Sequence, residues 1–191
     1  VPNYIDITKF HPIVSKKYAD RLIFVGRLNK QKNLFGLIDA VSKANVILDI
    51  FGDGELKEKL KLYAIENSVT VNVMGIVPNS ELPQTLNHYR YFIIPSFYEG
   101  MPKALLEAMA CGLVCIGTDV SGINEVIDDN INGFLSKGVD AMSIYDSIVL
   151  ATQSNYEKLN TISESAFKLI KKDYSLEAIV SIEKETFYAQ G

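Results

Sequence analysis

The chain has 191 residues, a net charge of −4, 48% hydrophobic and 22% charged residues. That length suffices for one domain with a real core, and the composition is ordinary for a soluble globular protein. The acidic balance gives no support to nucleic-acid binding, and no run nears the roughly 18 apolar residues needed to span a membrane.

In chain order, apolar strand, turn and amphipathic helix alternate, which predicts an α/β fold: a doubly wound parallel sheet with helices on both faces. Strands are expected over Arg21–Val25, Val46–Phe51, Val69–Met74, Tyr91–Ile94, Val114–Gly117 and Gly133–Leu135. Helices are expected at about Leu34–Ala44, Glu55–Asn67, Ser80–Tyr89 and Pro102–Cys111, with a short turn near Asn124–Ile127. After Asp140 the chain reads as a helical tail, with turn or capping signals near Asn155, Asp173 and Ser175. Sheets of this kind bind ligands beyond the carboxyl ends of their strands.

Cys111 and Cys115 are the only cysteines and have no matching histidine pair, so a zinc site is not expected and neither is any other metal. Two reduced, buried thiols are the plainer reading, and they suit a cytoplasmic setting. No charged-then-apolar leader precedes the first strand, so no secretory signal is expected in this stretch. His11 and His88 lack triad partners, and Tyr89, Tyr91 and Phe92 alternate as strand or core residues do. In F-G-D-G-E-L the two glycines are expected to shape a turn, with Asp53 helping to cap the next helix.

The chemistry concentrates between Pro95 and Gly112, P-S-F-Y-E-G-M-P-K-A-L-L-E-A-M-A-C-G. Gly100 and Pro102 break the extended chain, and Pro102 is expected at the first helical position. The amides of Lys103 and Ala104 then lack intrahelical partners, and with the positive end of the helix dipole they make an anion site. Earlier, F-V-G-R-L-N-K-Q-K-N-L places the turn residue Gly26, the five-donor fork of Arg27 and the point charge of Lys32 just after the first strand. Two cations there suit a diphosphate, although a solvated basic loop explains them as well.

Glu99 and Glu107, with seven residues between them, resemble the E-x7-E motif of retaining glycosyltransferases with the GT-B fold, closest to family 4. G-R-L-x3-K around Arg27 and Lys32, and G-T-D-V-S-G-I-N-E-V-I-D-D-N-I-N-G-F-L later, resemble segments of the same family. Leu113-Val114 departs from the usual C-G-x-P turn. Gly122 and Gly133 read as turn glycines, and Glu125 is given no catalytic role. The resemblance implies the Rossmann-like C-terminal half of a GT-B fold, binding a nucleoside-diphosphate sugar without a cofactor or required metal. It makes Arg27, Lys32 and Glu99 the catalytic residues, the first two at the phosphates and Glu99 at the transferred sugar, and places Glu107 at the ribose hydroxyls. Gly26, Gly100, Met101, Lys103 and Ala104 are further substrate-binding candidates. It also places the main chain of Ile76 and Val77 at the base.

The opening V-P-N-Y-I-D-I-T-K-F-H-P is similar to that family's interdomain linker. Residues 1–20 are therefore expected to be a linker and 21–191 the donor-binding domain, with the acceptor domain missing. The isolated chain is then expected to turn over little. A non-catalytic nucleotide-sugar binding module would use the same contacts, and a glycoside-hydrolase carboxylate pair is a weaker fit. Lys168, Lys171 and Lys172 are read as a solvated helix face; peripheral contact with an anionic membrane is the second reading.

Overall fold

A computed structural model describes residues 4–14 and 17–180. Six strands form one parallel sheet in the order β3-β2-β1-β4-β5-β6. They are β1 (Tyr18–Val25), β2 (Ile47–Phe51), β3 (Val71–Gly75), β4 (Tyr89–Ile94), β5 (Val114–Thr118) and β6 (Phe134–Ser136). The strand order reverses between β1 and β4, which pair through Leu22 with Tyr91 and Ile23 with Phe92. The loops that leave the carboxyl ends of these two strands therefore border a crevice rather than a packed helix.

Helices cover both faces because the inner strands are apolar on both sides; all five residues of β5 are buried. On one face Leu22, Phe24, Leu48 and Ile50 pack against α1 (Leu34–Ala44), α2 (Lys57–Glu66) and α5 (Ala141–Gln153). On the other, Ile23, Phe92 and Ile94 meet α3 (Leu82–Asn87) and α4 (Lys103–Ala110). The last helix of the tail, α6 (Tyr156–Leu169), serves both layers: Leu159 and Ile162 join the first core, Ala166 the second. A π-helical turn, Ile170–Tyr174, follows it. The expected breaks at Asn155 and Ser175 are present, since Asn155 caps α6 through the Lys158 amide (2.8 Å) and Ser175 Oγ accepts from the Ala178 amide (3.2 Å).

Three expectations are corrected. Tyr89 belongs to β4, not to the preceding helix, which ends at Asn87. Its ring is buried and its hydroxyl donates to Asp49 (2.7 Å), so a strand position is the one that satisfies both ends of the side chain. Pro102 is the N-cap of α4 with ψ 89°, outside the helical range, and the helix begins at Lys103. Asp53 does not cap α2: Leu56 holds that place, and Asp53 pairs instead with Lys57 (3.3 Å). Gly52, by contrast, acts as a close-approach residue, because a Cβ there would collide with the Gly26 carbonyl oxygen.

The segment before β1 packs against the domain. Ile5 is 1% exposed and its amide bonds to the Tyr174 carbonyl (2.8 Å). The Asn87 side chain accepts from the Ile13 amide (2.8 Å) and donates to the His11 carbonyl (3.1 Å). Both cysteines are free and buried; burial pushes the Cys111 thiol up to about 12 and that of Cys115 higher still.

Candidate functional site

The crevice is built from the loop after β1 and the loop after β4. The first turns at Gly26, whose amide bonds to the Phe51 carbonyl (3.0 Å), and runs through a 3-10 turn at Lys30–Lys32 to the left-handed Asn33. The second leaves β4 at Pro95, and its Phe97 amide bonds to the Gln31 carbonyl (2.9 Å). Gln31 returns a bond from its side-chain amide to the Tyr98 carbonyl (2.8 Å), so one residue ties the loops together in both directions.

Within this frame Lys32 and Glu99 form an ion pair, Nζ to Oε1, of 2.5 Å. Ser96, fully buried, donates its hydroxyl to the same carboxylate oxygen (2.5 Å), and the Gln31 amide lies 3.5 Å from the other. Thr118 holds Ser96 in turn through its carbonyl (2.6 Å). Glu99 is anchored from a third loop as well, its amide bonding to the Ser121 carbonyl (3.2 Å). Gly122 follows with φ +81°, and a Cβ there would strike the carbonyl oxygens of Glu99 and Gly100. Only glycine allows that loop to close on the Glu99 backbone.

Arg27, in the loop after β1, is exposed and makes no ion pair with any described residue. Asn29, two residues on, has a buried Oδ1 without a hydrogen-bond partner, a local cost located in the cation loop. At the start of α4, Lys103 and Ala104 occupy the first two helical positions, where the amides have no carbonyl of their own helix to bond. Gly100 is exposed and Met101 is 39% exposed, on the rim.

Glu107 lies one turn further along α4, in a helix whose residues from Leu105 to Ala110 are all buried between sheet and tail. Its side chain is only 9% exposed, and the nearest cation, Lys103 Nζ, is 3.8 Å away. Burial raises its pKa above the ordinary carboxylate value, while Lys103 pulls the other way. A carboxylate placed so is poorly compensated from within the chain. Ile76 and Val77 follow β3, two strands from β1 and so roughly 10 Å across the sheet. Ile76 is 75% exposed, whereas Val77 packs against the second core.

The structure thus brings Lys32, Glu99 and the start of α4 to one end of the sheet and pairs Lys103 with Glu107. Arg27, Ile76 and Val77 line that same end without contacting the pair. Reading the sequence did not single out Gln31 or Ser96. Ser96 stood inside the quoted motif, but a polar residue in a loop carries no signal of which carboxylate it will meet. Among the described residues no group of three His, Cys, Asp or Glu side chains is placed to hold a metal ion, and no helix is long and apolar enough to cross a membrane.

A six-stranded parallel sheet with helices on both faces defines a doubly wound α/β protein, and its switch point here carries cations, carboxylates and a helix amino end. The particular family follows from comparison: residues 6–169 match the profile of Glycosyl transferases group 1, and the chain belongs to that family. It is 30% identical, over 92% of its own length, to the UDP-Gal:alpha-D-GlcNAc-diphosphoundecaprenol alpha-1,3-galactosyltransferase of Escherichia coli, of which it covers 50%. It spans about half the length of the first relatives it matches.

In fold it is similar to Anabaena HepE, solved with UDP and glucose, at a TM-score of 0.86 and 19% identity, over 97% of this chain and 55% of that one. It also matches the C-terminal domain of the group 1 glycosyl transferase LpcC from Francisella tularensis at a TM-score of 0.78 and 19% identity, covering 90% of this chain and 99% of that one. The architecture is that of the C-terminal half of a GT-B glycosyltransferase.

Proposed function

We propose that this chain is the donor-binding domain of a retaining glycosyltransferase that moves a sugar from a nucleoside diphosphate to an acceptor hydroxyl in polysaccharide or glycolipid synthesis. The observation that carries the reading is the Lys32–Glu99 ion pair at the switch point, with Glu99 in the loop that leads into the amino end of α4 and Arg27 on the same loop as Lys32. The UDP bound in HepE and the UDP-galactose named for the Escherichia coli relative support it.

As the bond to phosphate breaks, negative charge gathers on the leaving diphosphate and positive charge on the sugar ring. Arg27, Lys32 and the amides of Lys103 and Ala104 are the groups that meet the first of these, and each well-aimed donor contributes about 3 kcal/mol. No metal or cofactor is needed for that charge. Glu99, fixed by Ser96 and Lys32, meets hydroxyls of the sugar, with Gly100 and Met101 on the rim. Glu107 accepts from the ribose hydroxyls, which would supply the partners its burial lacks. The main chain of Ile76 and Val77 meets the base. The acceptor and the group assisting its attack belong to a second domain, so this chain alone binds donor and transfers little. Contact with the cytoplasmic face of a membrane suits the exposed Lys168, Lys171 and Lys172.

Calorimetric titration with UDP, GDP, ADP and CMP tests the reading. One diphosphate should bind, with equal affinity when a chelator is present, and Arg27→Ala should weaken it by a factor of about 100. Unchanged affinity in Arg27→Ala would remove the phosphate assignment.

A further inference from the structure

At the opposite end of the sheet, the amino ends of β4 and β5 border a second cleft of about 340 Å³, closed on one side by α6. Strand length alone, roughly 15–20 Å, separates it from the switch-point loops. Lys17, just before β1, and Arg90, second residue of β4, both line it. The opposite wall is one face of α6, where Tyr156, Asn160 and Ser163 recur at helical spacing.

Among the described residues, the charges lining this cleft are not balanced. Neither Lys17 nor Arg90 forms an ion pair with a described residue, and Lys17 Nζ reaches only the Gly112 carbonyl, at 3.4 Å. The two acidic residues of α6, Glu157 and Glu164, pair with neither cation; Glu164 takes its hydrogen bond from Asn160 (2.8 Å). Arg90 stacks over the Tyr156 ring (5.8 Å) and hydrogen-bonds the Tyr91 hydroxyl, which uses part of its five-donor fork and leaves further N–H groups for a ligand. Burial holds the Lys17 ammonium below the ordinary lysine value; Cys111 opposes that shift and the Arg90 charge adds to it. Two partly buried cations on the wall of one cleft, unpaired among the described residues, make it a positively charged site. The volume is at the small end of ligand sites, which suits a compact ligand. A singly charged carboxylate would leave one cation uncompensated, whereas a phosphate dianion matches both, with the Arg fork and the Lys point charge as its natural donors.

We propose that the cleft between Lys17, Arg90 and the Tyr156–Ser163 face of α6 is a second ligand site, which binds a phosphate-bearing small molecule apart from the switch-point crevice. The test is titration of the full chain with inorganic pyrophosphate, followed by amide shifts in nitrogen-15 NMR. Shifts are expected at Lys17, Arg90, Gly112 and Ser163, and Lys17→Gln and Arg90→Gln should each weaken that set about tenfold while the pattern of a folded chain persists. Lys17 precedes the sheet, so its variant gives the readout even if Arg90→Gln does not fold. Shifts confined to the loops after β1 and β4, or equal affinity in the folded variants, would overturn the proposal. A parallel arm sediments the chain with vesicles containing phosphatidic acid, whose phosphomonoester headgroup can carry two charges. Co-sedimentation lost in Lys17→Gln assigns the phosphate to a lipid headgroup, and pyrophosphate binding without co-sedimentation assigns it to a free ligand.

Discussion

Lys32 and Glu99 stand 67 positions apart in the chain and meet at 2.5 Å, with side chains only 17% and 7% exposed. Each neutralises the other in a place that water barely reaches, so neither can be removed alone without leaving a charge behind. Lys32→Met is therefore expected to lower stability by about 2–3 kcal/mol, less than for a fully buried pair because Lys32 keeps some solvent. The double variant Lys32→Met, Glu99→Leu should recover most of that loss. Urea unfolding of the three proteins measures the coupling, and simple additivity of the single effects would contradict it.

Gly122→Ala should destabilise by about 1–3 kcal/mol, from a strained backbone and from contact with the Glu99 and Gly100 carbonyls. Because the displaced carbonyls belong to the Glu99 loop, donor affinity should fall as well. Alanine at Gly100, where nothing lies within 4 Å of a Cβ, is the control and should be tolerated.

Glu107 carries opposite expectations for stability and binding. Its pKa is raised in the folded state by burial, so the folded chain holds that proton more tightly than the unfolded one. The associated stability is complete below the unfolded value of about 4.3 and is lost as pH climbs through the raised folded value. Glu107→Gln should consequently melt higher than the parent at pH 7, the difference closing in acid. Ribonucleotide affinity should drop about tenfold in the same variant, and deoxyribonucleotide affinity less. Equal melting temperatures at pH 7 would refute the stability half.

Asp49 joins four strands. It lies in β2 and accepts from Arg21 of β1 (3.2 Å), Asn72 of β3 (2.6 Å) and the Tyr89 hydroxyl of β4 (2.7 Å). Burial, with the Asp49 carboxylate close behind, holds the Tyr89 hydroxyl protonated well above the usual tyrosine range. Asp49→Ala leaves the Asn72 and Tyr89 donors unpaired, at a cost of about 2–4 kcal/mol. Thermal unfolding would show it.

Alkylation separates buried from reactive thiols. With Cys111 pushed up to about 12, its thiolate fraction at pH 8 is about a thousandfold below that of a free cysteine. Iodoacetamide should leave both cysteines unmodified until denaturant is added, as read by mass spectrometry.

Much of the frame was visible before any coordinates. Ile93 and Ile94, and Val114 to Ile116, are apolar on both faces, which marks inner strands of a parallel sheet, while in β2 Leu48 and Ile50 supply one apolar face and Asp49 interrupts the other. Strand ends were harder. β1 extends back to Tyr18 through exposed Ala19 and Asp20, which no hydrophobic pattern marks, and Tyr89 crossed from helix to strand because Asp49 claims its hydroxyl. The turn signal near Asp173 falls inside Ile170–Tyr174, but nothing local marked that segment as a π-turn.

The order and kind of the elements follow from the chain alone, since period, breaker residues and capping groups act over a few neighbours. Sequence likewise marked Arg27, Lys32, Glu99 and Glu107 as polar groups beside turns. That Lys32 would close on Glu99, that Gln31 and Ser96 would hold it there, and that Lys17 and Arg90 would share a cleft were decided only when the sheet brought distant loops together. Such contacts depend on which strand lies beside which, and that is a property of the packed core rather than of any stretch of residues.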